Sequence, residues 1–341
     1  MTTYIFGIVE NSGRLDFGQI GFTGSYGDRA EIKTVPYGGI SMAVCDVDGW
    51  KVDEGNKVDL LNRLLEHQKT LEQIMQRQFI LPVKFGTTVD AEQDVTVILS
   101  RYHDLLKKGF DEMRDFVEAD VVVQWDTASE VRNLAAGDDK IKRLKAQAEK
   151  IPPDKRGQKI IEVGMLLEEK LEEHRKEIEK DIQGELKKYC LDMVDHDRLE
   201  DKMVINSSFL LKKGDEKGFF DTIDALDKKL NGSFKFKCLY PLPPHSFKTI
   251  VIKKVDRGHL LEAITLFDVT DKTTLKELKE KNRDFIKKLH PDKAGGKDAS
   301  SAFEGMNRSY ALLCDVLGGG RLPLEVEMNR CYVVEFQGSE R

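Results

Sequence analysis

Five cysteines are spread over 341 residues, at Cys45, Cys190, Cys238, Cys314 and Cys331, and no two form a CxxC pair. An odd, scattered set argues against a disulfide framework or a thiolate zinc site and fits reduced thiols in a cytoplasm. Long apolar runs are missing too: no stretch approaches the roughly 20 apolar residues that span a bilayer. The N-terminus, Met1 to Val9, lacks the basic start of a signal peptide and reads as a strand that begins at once. Positive charge is not in excess. The 54 Lys and Arg stand against 60 Asp and Glu, a net charge of −6, which argues against general nucleic-acid or anionic-membrane binding. The chain has no GK[ST] phosphate loop, no HExxH and no GxSxG elbow. Neither a cofactor, a metal nor catalysis is therefore expected.

Hydrophobic residues make up 40% of the chain and charged residues 33%, enough for real cores with long solvated helices between them. Its length predicts two or three domains. Residues 1–126 read as an α+β domain. Strands are expected at Tyr4–Val9, Glu31–Tyr37, Ile40–Cys45, Leu81–Phe85 and Val117–Trp125, with a hairpin at Gly38-Gly39. Helical spacing marks Lys57–Gln78, where Leu60, Leu61, Leu64, Leu65, Leu71, Ile74 and Met75 recur, and Ala91–Phe116. A ferredoxin-like sheet with helices on one face is the expected layout. Residues 127–200 read as a helical hairpin or short coiled coil, broken at Ile151-Pro152-Pro153-Asp154. Its seam is Val163, Leu167, Leu171, His174, Ile178, Ile182 and Tyr189, and packing on its own protein is the simpler reading. Residues 201–256 with 321–341 form a second small α+β domain, which carries a helical segment at 257–320.

Three constellations bear on chemistry. Gly18, Gly21, Gly24 and Gly27 recur every third residue, but a phosphate cradle needs glycines leading into a helix, and here a strand follows, so a flexible loop is expected. Asp195-His196-Asp197 are consecutive, so their side chains diverge and do not converge on one ion. His67, His103, His174 and Cys190 show no metal-ligand spacing. More specific is His290-Pro291-Asp292, set between a basic helix at Thr274–Leu289 and a second helix at Ser300–Val316. Two helices holding a rigid loop form a presentation surface, with Lys279, Arg283, Lys287 and Lys288 as a positive face for an acidic partner.

That helix–His-Pro-Asp–helix context resembles a J-domain. The resemblance implies that His290, Pro291 and Asp292, with the basic helix, bind a DnaK-type chaperone and stimulate its ATPase. A helical hairpin that has lost this activity is the open alternative. Residues 1–254 resemble the GvpL/GvpF family of gas vesicle proteins. The carrying blocks are Glu66-His67, Leu81-Pro82-Val83-Lys84-Phe85-Gly86-Thr87, the Glu118–Asp126 strand and Gly164-Met165-Leu166-Leu167-Glu168-Glu169-Lys170. Asn206-Ser207-Ser208-Phe209-Leu210-Leu211 and Tyr240-Pro241-Leu242-Pro243-Pro244-His245-Ser246-Phe247 complete the set. The family pattern has Arg where Lys84 stands and often Tyr where His245 stands. The resemblance implies a non-enzymatic accessory protein of gas vesicle formation, in the cytoplasm or on the vesicle. Its implied partners are the hydrophobic shell protein GvpA and other gas vesicle proteins. A stand-alone J-domain co-chaperone for other clients is the rival reading.

Overall fold

The computed structural model describes residues 2–11, 13, 16–23, 29–47, 55–230, 233–289, 297–322 and 325–338. The chain separates into two compact units, one built from Met1–Arg114 with Lys248–Gly338 and the other from Asp115–Phe247. Within this mixed α+β chain the predicted strands and helices are largely present, but several belong to different partners than expected.

The first unit holds a sheet of order β2-β3-β4-β1-β5, with β6 also paired to β1. The strands are β1 (Thr2–Glu10), β2 (Asp16–Thr23), β3 (Arg29–Tyr37), β4 (Ile40–Val47), β5 (Ile80–Pro82) and β6 (Thr88–Val89). β1 is buried from Thr3 to Val9 without alternation, as a strand covered on both faces must be. β3 and β4 join through the predicted Gly38-Gly39 turn, with Tyr37 opposite Ile40 and Gly38 at φ +60°, a conformation open to glycine. β2 occupies part of the glycine-spaced stretch read from sequence as a loop; Gly18 and Gly21 lie in it, while Gly24 and Gly27 fall outside the described residues. Three strands follow β1 with no helix between them, which differs from the βαββαβ order of a ferredoxin-like sheet.

Helix α1 (Lys57–Met75) starts at Asn56, whose side chain accepts from Asp59 N, and buries His67, Thr70, Leu71 and Ile74. Leu71 and Ile74 in its C-terminal half join the core of the sheet, while Leu61, Leu64 and Leu65, expected on the buried face, are exposed. The predicted helix over 91–116 is two helices, α2 (Glu92–Arg101) and α3 (His103–Met113). The break falls at Tyr102, whose φ of −111° and ψ of 20° leave the helical region while its hydroxyl donates to Tyr332 O at 3.0 Å.

The second unit holds the sheet β10-β7-β9-β8. Its strands are β7 (Phe116–Trp125), β8 (Asp192–Asp195), β9 (Met203–Lys212) and β10 (Phe234–Leu242). β7, expected to close the first sheet, pairs instead with β9 and β10 throughout its length. The helices α4 (Thr127–Gly137), α5 (Asp139–Glu149), α6 (Gly157–Leu186) and α7 (Lys217–Lys229) belong to the same unit. α5 and α6 make the predicted hairpin, packed through Ile141, Val163 and Leu166. At its bend the Arg156 guanidinium donates Nε and Nη2 to Ile151 O at 3.0 and 2.8 Å, satisfying a carbonyl just past the end of α5. The remainder of α6 buries Ile182 and Leu186, and the helix contacts β9 and α7, so the heptad seam is spent inside this protein. Tyr189, the last seam residue, is exposed.

Returning to the first unit, β11 (Thr249–Lys254) pairs with β12 (Tyr332–Gln337), and Lys84 N donates to Ile250 O at 2.8 Å. Beside this ribbon lie α8 (Arg257–Phe267), α9 (Leu275–Leu289) and α10 (Lys297–Gly318). Leu260, Ala263, Phe267, Leu278, Met306, Leu313 and Val316 form their shared core. α9 opens on a capping box: Thr274 Oγ1 accepts from Glu277 N, and Glu277 Oε2 accepts from Thr274 N at 2.8 Å.

Candidate functional site

Three blocks far apart in sequence meet on one face of the second sheet. On β7, Glu118 and Asp120 are two residues apart and so project to the same side. Ser208 lies directly opposite Asp120 on β9. After β8 the backbone of His196 remains tied to β9, its N–H donating to Asn206 O at 2.8 Å. After β10 the Pro243–Phe247 loop brings His245 and Ser246 over the carboxylates.

Hydrogen bonds connect these groups. Ser246 donates its backbone N–H to Glu118 Oε2 at 2.9 Å and its hydroxyl to Oε1 at 2.7 Å. Ser208 Oγ donates to Asp120 Oδ1 at 2.5 Å, and His196 Nε2 lies 2.7 Å from the same Oγ. His245 Nδ1 lies 3.3 Å from Glu118 Oε1 and 3.0 Å from Pro243 O. Glu118 is fully buried. Burial, then the charge of Asp120, pushes its carboxyl well above the usual carboxylate range, against the opposing pull of the Ser246 hydrogen bonds. Among the described residues no Lys or Arg pairs with either carboxylate.

The proton directions rule on chemistry. A nucleophilic serine donates to histidine, which a carboxylate orients. Here Ser208 sits between the two: its proton goes to Asp120, so His196 donates to the hydroxyl and is not available to take its proton. The cluster is a hydrogen-bonded carboxylate site, and its Glu118, Asp120 and His245 donor atoms lie within 4.8 Å of one another, as a metal ligand set would.

The consecutive Asp195, His196 and Asp197 diverge. Asp195 Oδ1 accepts from Gln183 Nε2 at 2.7 Å and Ser207 Oγ at 2.6 Å, His196 turns to Ser208, and Asp197 O accepts from Asn206 Nδ2. Lys279, Arg283 and Lys287 are exposed on α9; the Lys288 side chain and all of His290, Pro291 and Asp292 lie outside the described residues. Sequence reading missed Glu118, Asp120, Ser208, His245 and Ser246 as a site. The available signal was their place in three of the blocks that carry the family resemblance. Two further blocks meet in the first unit, where Tyr4 Oη lies 2.9 Å from His67 Nδ1 and accepts from Gly86 N at 3.1 Å.

The arrangement defines an α+β protein whose fold is shared with solved gas vesicle proteins. The crystal structure of the gas vesicle protein GvpF from Anabaena sp. PCC7120 superposes with a TM-score of 0.58 at 21% identity, covering 71% of this chain and 96% of that one. GvpF from Microcystis aeruginosa gives 0.53 at 18%, covering 71% and 97%. In sequence, Gas vesicle protein F of Nostoc sp. (strain PCC 7120) is 26% identical over 190 residues, 55% of this chain and 77% of that protein. Gas vesicle protein F of Dolichospermum flosaquae is 24% identical over 188 residues, 54% and 76%. The family model for Gas vesicle synthesis protein GvpL/GvpF matches residues 2–249. The chain belongs to the GvpL/GvpF family, whose role is structural or accessory. The match ends where β11 begins, so α8, α9 and α10 lie beyond it.

Proposed function

We propose that this chain is a non-enzymatic accessory protein required for gas vesicle formation, and that it binds the GvpA-type shell protein as an assembly partner. The observation that carries this reading is the family match over residues 2–249, with its sequence blocks meeting at structured positions in both units. The physical need is plain: a hydrophobic shell subunit exposes apolar surface and strand edges before assembly, and a partner must cover them. Apolar side chains at the surface, Leu61, Leu64 and Leu65 on α1 and Ile161 and Met165 on α6, suit such contacts. Among the described residues no helix is long and apolar enough to cross a membrane, which accords with a role in the cytoplasm or on the vesicle. Deleting the gene for this chain should abolish vesicles, and complementation should restore them; vesicle formation without it sinks the proposal.

A second reading concerns α8–α10. A helical cluster with its own core, a capping box and exposed Lys279, Arg283 and Lys287 supports recruitment of a DnaK-type chaperone. Stimulation of DnaK ATPase that disappears on Asp292→Asn would support it; no stimulation leaves these helices a structural addition.

A further inference from the structure

We infer that Glu118, Asp120 and His245 form a binding site for one divalent cation of the zinc class. Two carboxylates and an imidazole are a mixed oxygen–nitrogen set, suited to Zn²⁺ or a neighbouring first-row ion rather than to Ca²⁺ or Mg²⁺, which take oxygen alone. The three come from two separate elements: β7 fixes both carboxylates on one sheet face, and the Pro243–Phe247 loop supplies the imidazole.

The distances suit the ion. With Zn–N of about 2.0–2.1 Å and Zn–O of about 2.0–2.2 Å, the edge of a tetrahedral site is roughly 3.3–3.6 Å. His245 Nδ1 and Glu118 Oε1 already stand 3.3 Å apart, and all three donors lie within 4.8 Å of one another. Rotation about the Asp120 side chain covers the difference of roughly 1 Å. Around the donors stands an outer ring that would orient them: Ser246 holds Glu118, Ser208 holds Asp120, and His196 holds Ser208.

The charge balance points the same way. Glu118 is fully buried next to a second carboxylate, and no Lys or Arg among the described residues neutralises the pair. Two adjacent carboxylates can both ionise there only if a positive charge offsets their repulsion, and a divalent ion supplies it. His245 is about a third exposed, which leaves an entry path, and a water would complete the coordination. A metal-bound Nδ1 is unprotonated, so a neutral His245 would carry its one ring proton on Nε2; both carboxylates would coordinate as anions, and any proton they give up passes to the buffer.

The test uses the full-length chain, stripped with EDTA and titrated with ZnCl₂ by calorimetry in two buffers of different ionisation enthalpy. The expected result is one equivalent bound with net proton release, a raised melting temperature, and affinity at least ~10-fold weaker in His245→Ala and Asp120→Asn. His103→Ala, in the first unit, should bind as wild type. X-ray absorption on the zinc form should show nitrogen and oxygen ligands without sulfur. No stoichiometric binding by wild type overturns the inference. So does undiminished binding by both folded variants, or a sulfur ligand, which would place the ion at a cysteine.

Discussion

Replacing Glu118 separates what its carboxylate does for the fold from what its charge does. The group is fully buried and accepts two hydrogen bonds from Ser246, at 2.9 and 2.7 Å, which fasten the loop after β10 onto β7. Glu118→Ala removes both acceptors. Each bond is worth about 1 kcal/mol to a neutral group and roughly 1.5–3 kcal/mol to a charged one, so the gross loss is about 2–6 kcal/mol. Alanine also removes a carboxyl whose burial is itself costly, which brings the expected net loss to about 2–3 kcal/mol. Glu118→Gln keeps an amide oxygen for the Ser246 N–H and offers an NH₂ to its Oγ, so less than about 1 kcal/mol should go. Urea unfolding of the EDTA-treated protein, followed by circular dichroism, reads both values. Equal losses in the two variants would refute the anchoring role.

The same pair predicts a pH dependence. Burial and Asp120 raise the Glu118 carboxyl above its ordinary value of 4.5, so the folded chain holds this proton more tightly than the unfolded chain does. The stabilisation is complete below the ordinary value and is lost as pH rises through the raised, folded one. As pH rises above the ordinary value of 4.5 the stability of wild type should therefore fall relative to Glu118→Gln. A constant difference would contradict the sign.

Other consequences are more local. A Cβ on Gly7 would stand 2.5 Å from Leu81 O and 2.6 Å from Ile80 Cγ1, so Gly7→Ala should cost at least about 1–3 kcal/mol in thermal or urea unfolding, and a neutral result would mean that β1 and β5 can separate. Tyr4→Phe removes the bonds to His67 Nδ1 and from Gly86 N and should cost about 1–2 kcal/mol by the same measurement; no loss would show that the burial of Tyr4 alone matters. Burial pushes the thiols of Cys190 and Cys238 up to about 11 and places Cys45 and Cys331 out of solvent, so these four should react slowly with Ellman's reagent near neutral pH and all five at once in denaturant. Rapid labelling of two or more thiols in the native protein would contradict that packing.

Local patterns were legible where one segment decides the outcome. The Gly38-Gly39 hairpin, the start of α1 and the break between α5 and α6 all follow from turn chemistry, capping and proline, which act over a few residues. Strand partners were not legible. Val117–Trp125 reads as a strand in any sheet, and its pairing with Met203–Lys212 depends on residues about ninety positions away. Glycine spacing suggested a loop over Asp16–Thr23, where ladder hydrogen bonds to β3 hold a strand instead. The leucines at 61, 64 and 65 keep helical period although nothing among the described residues buries them, since periodicity reports a helix face and not what covers it. The carboxylate cluster escaped notice for the same reason as the strand pairing. Glu118, Ser208 and Ser246 carry no motif of their own, and only the sheet register and the returning loop bring them together.

Co-expression of this chain with the GvpA-type shell protein of the same organism, followed by affinity capture from the soluble fraction, tests the central claim most directly. The account predicts that shell protein is recovered in solution with the chain and is insoluble without it. Shell protein that stays insoluble in the presence of well-folded chain, with none captured, would contradict it.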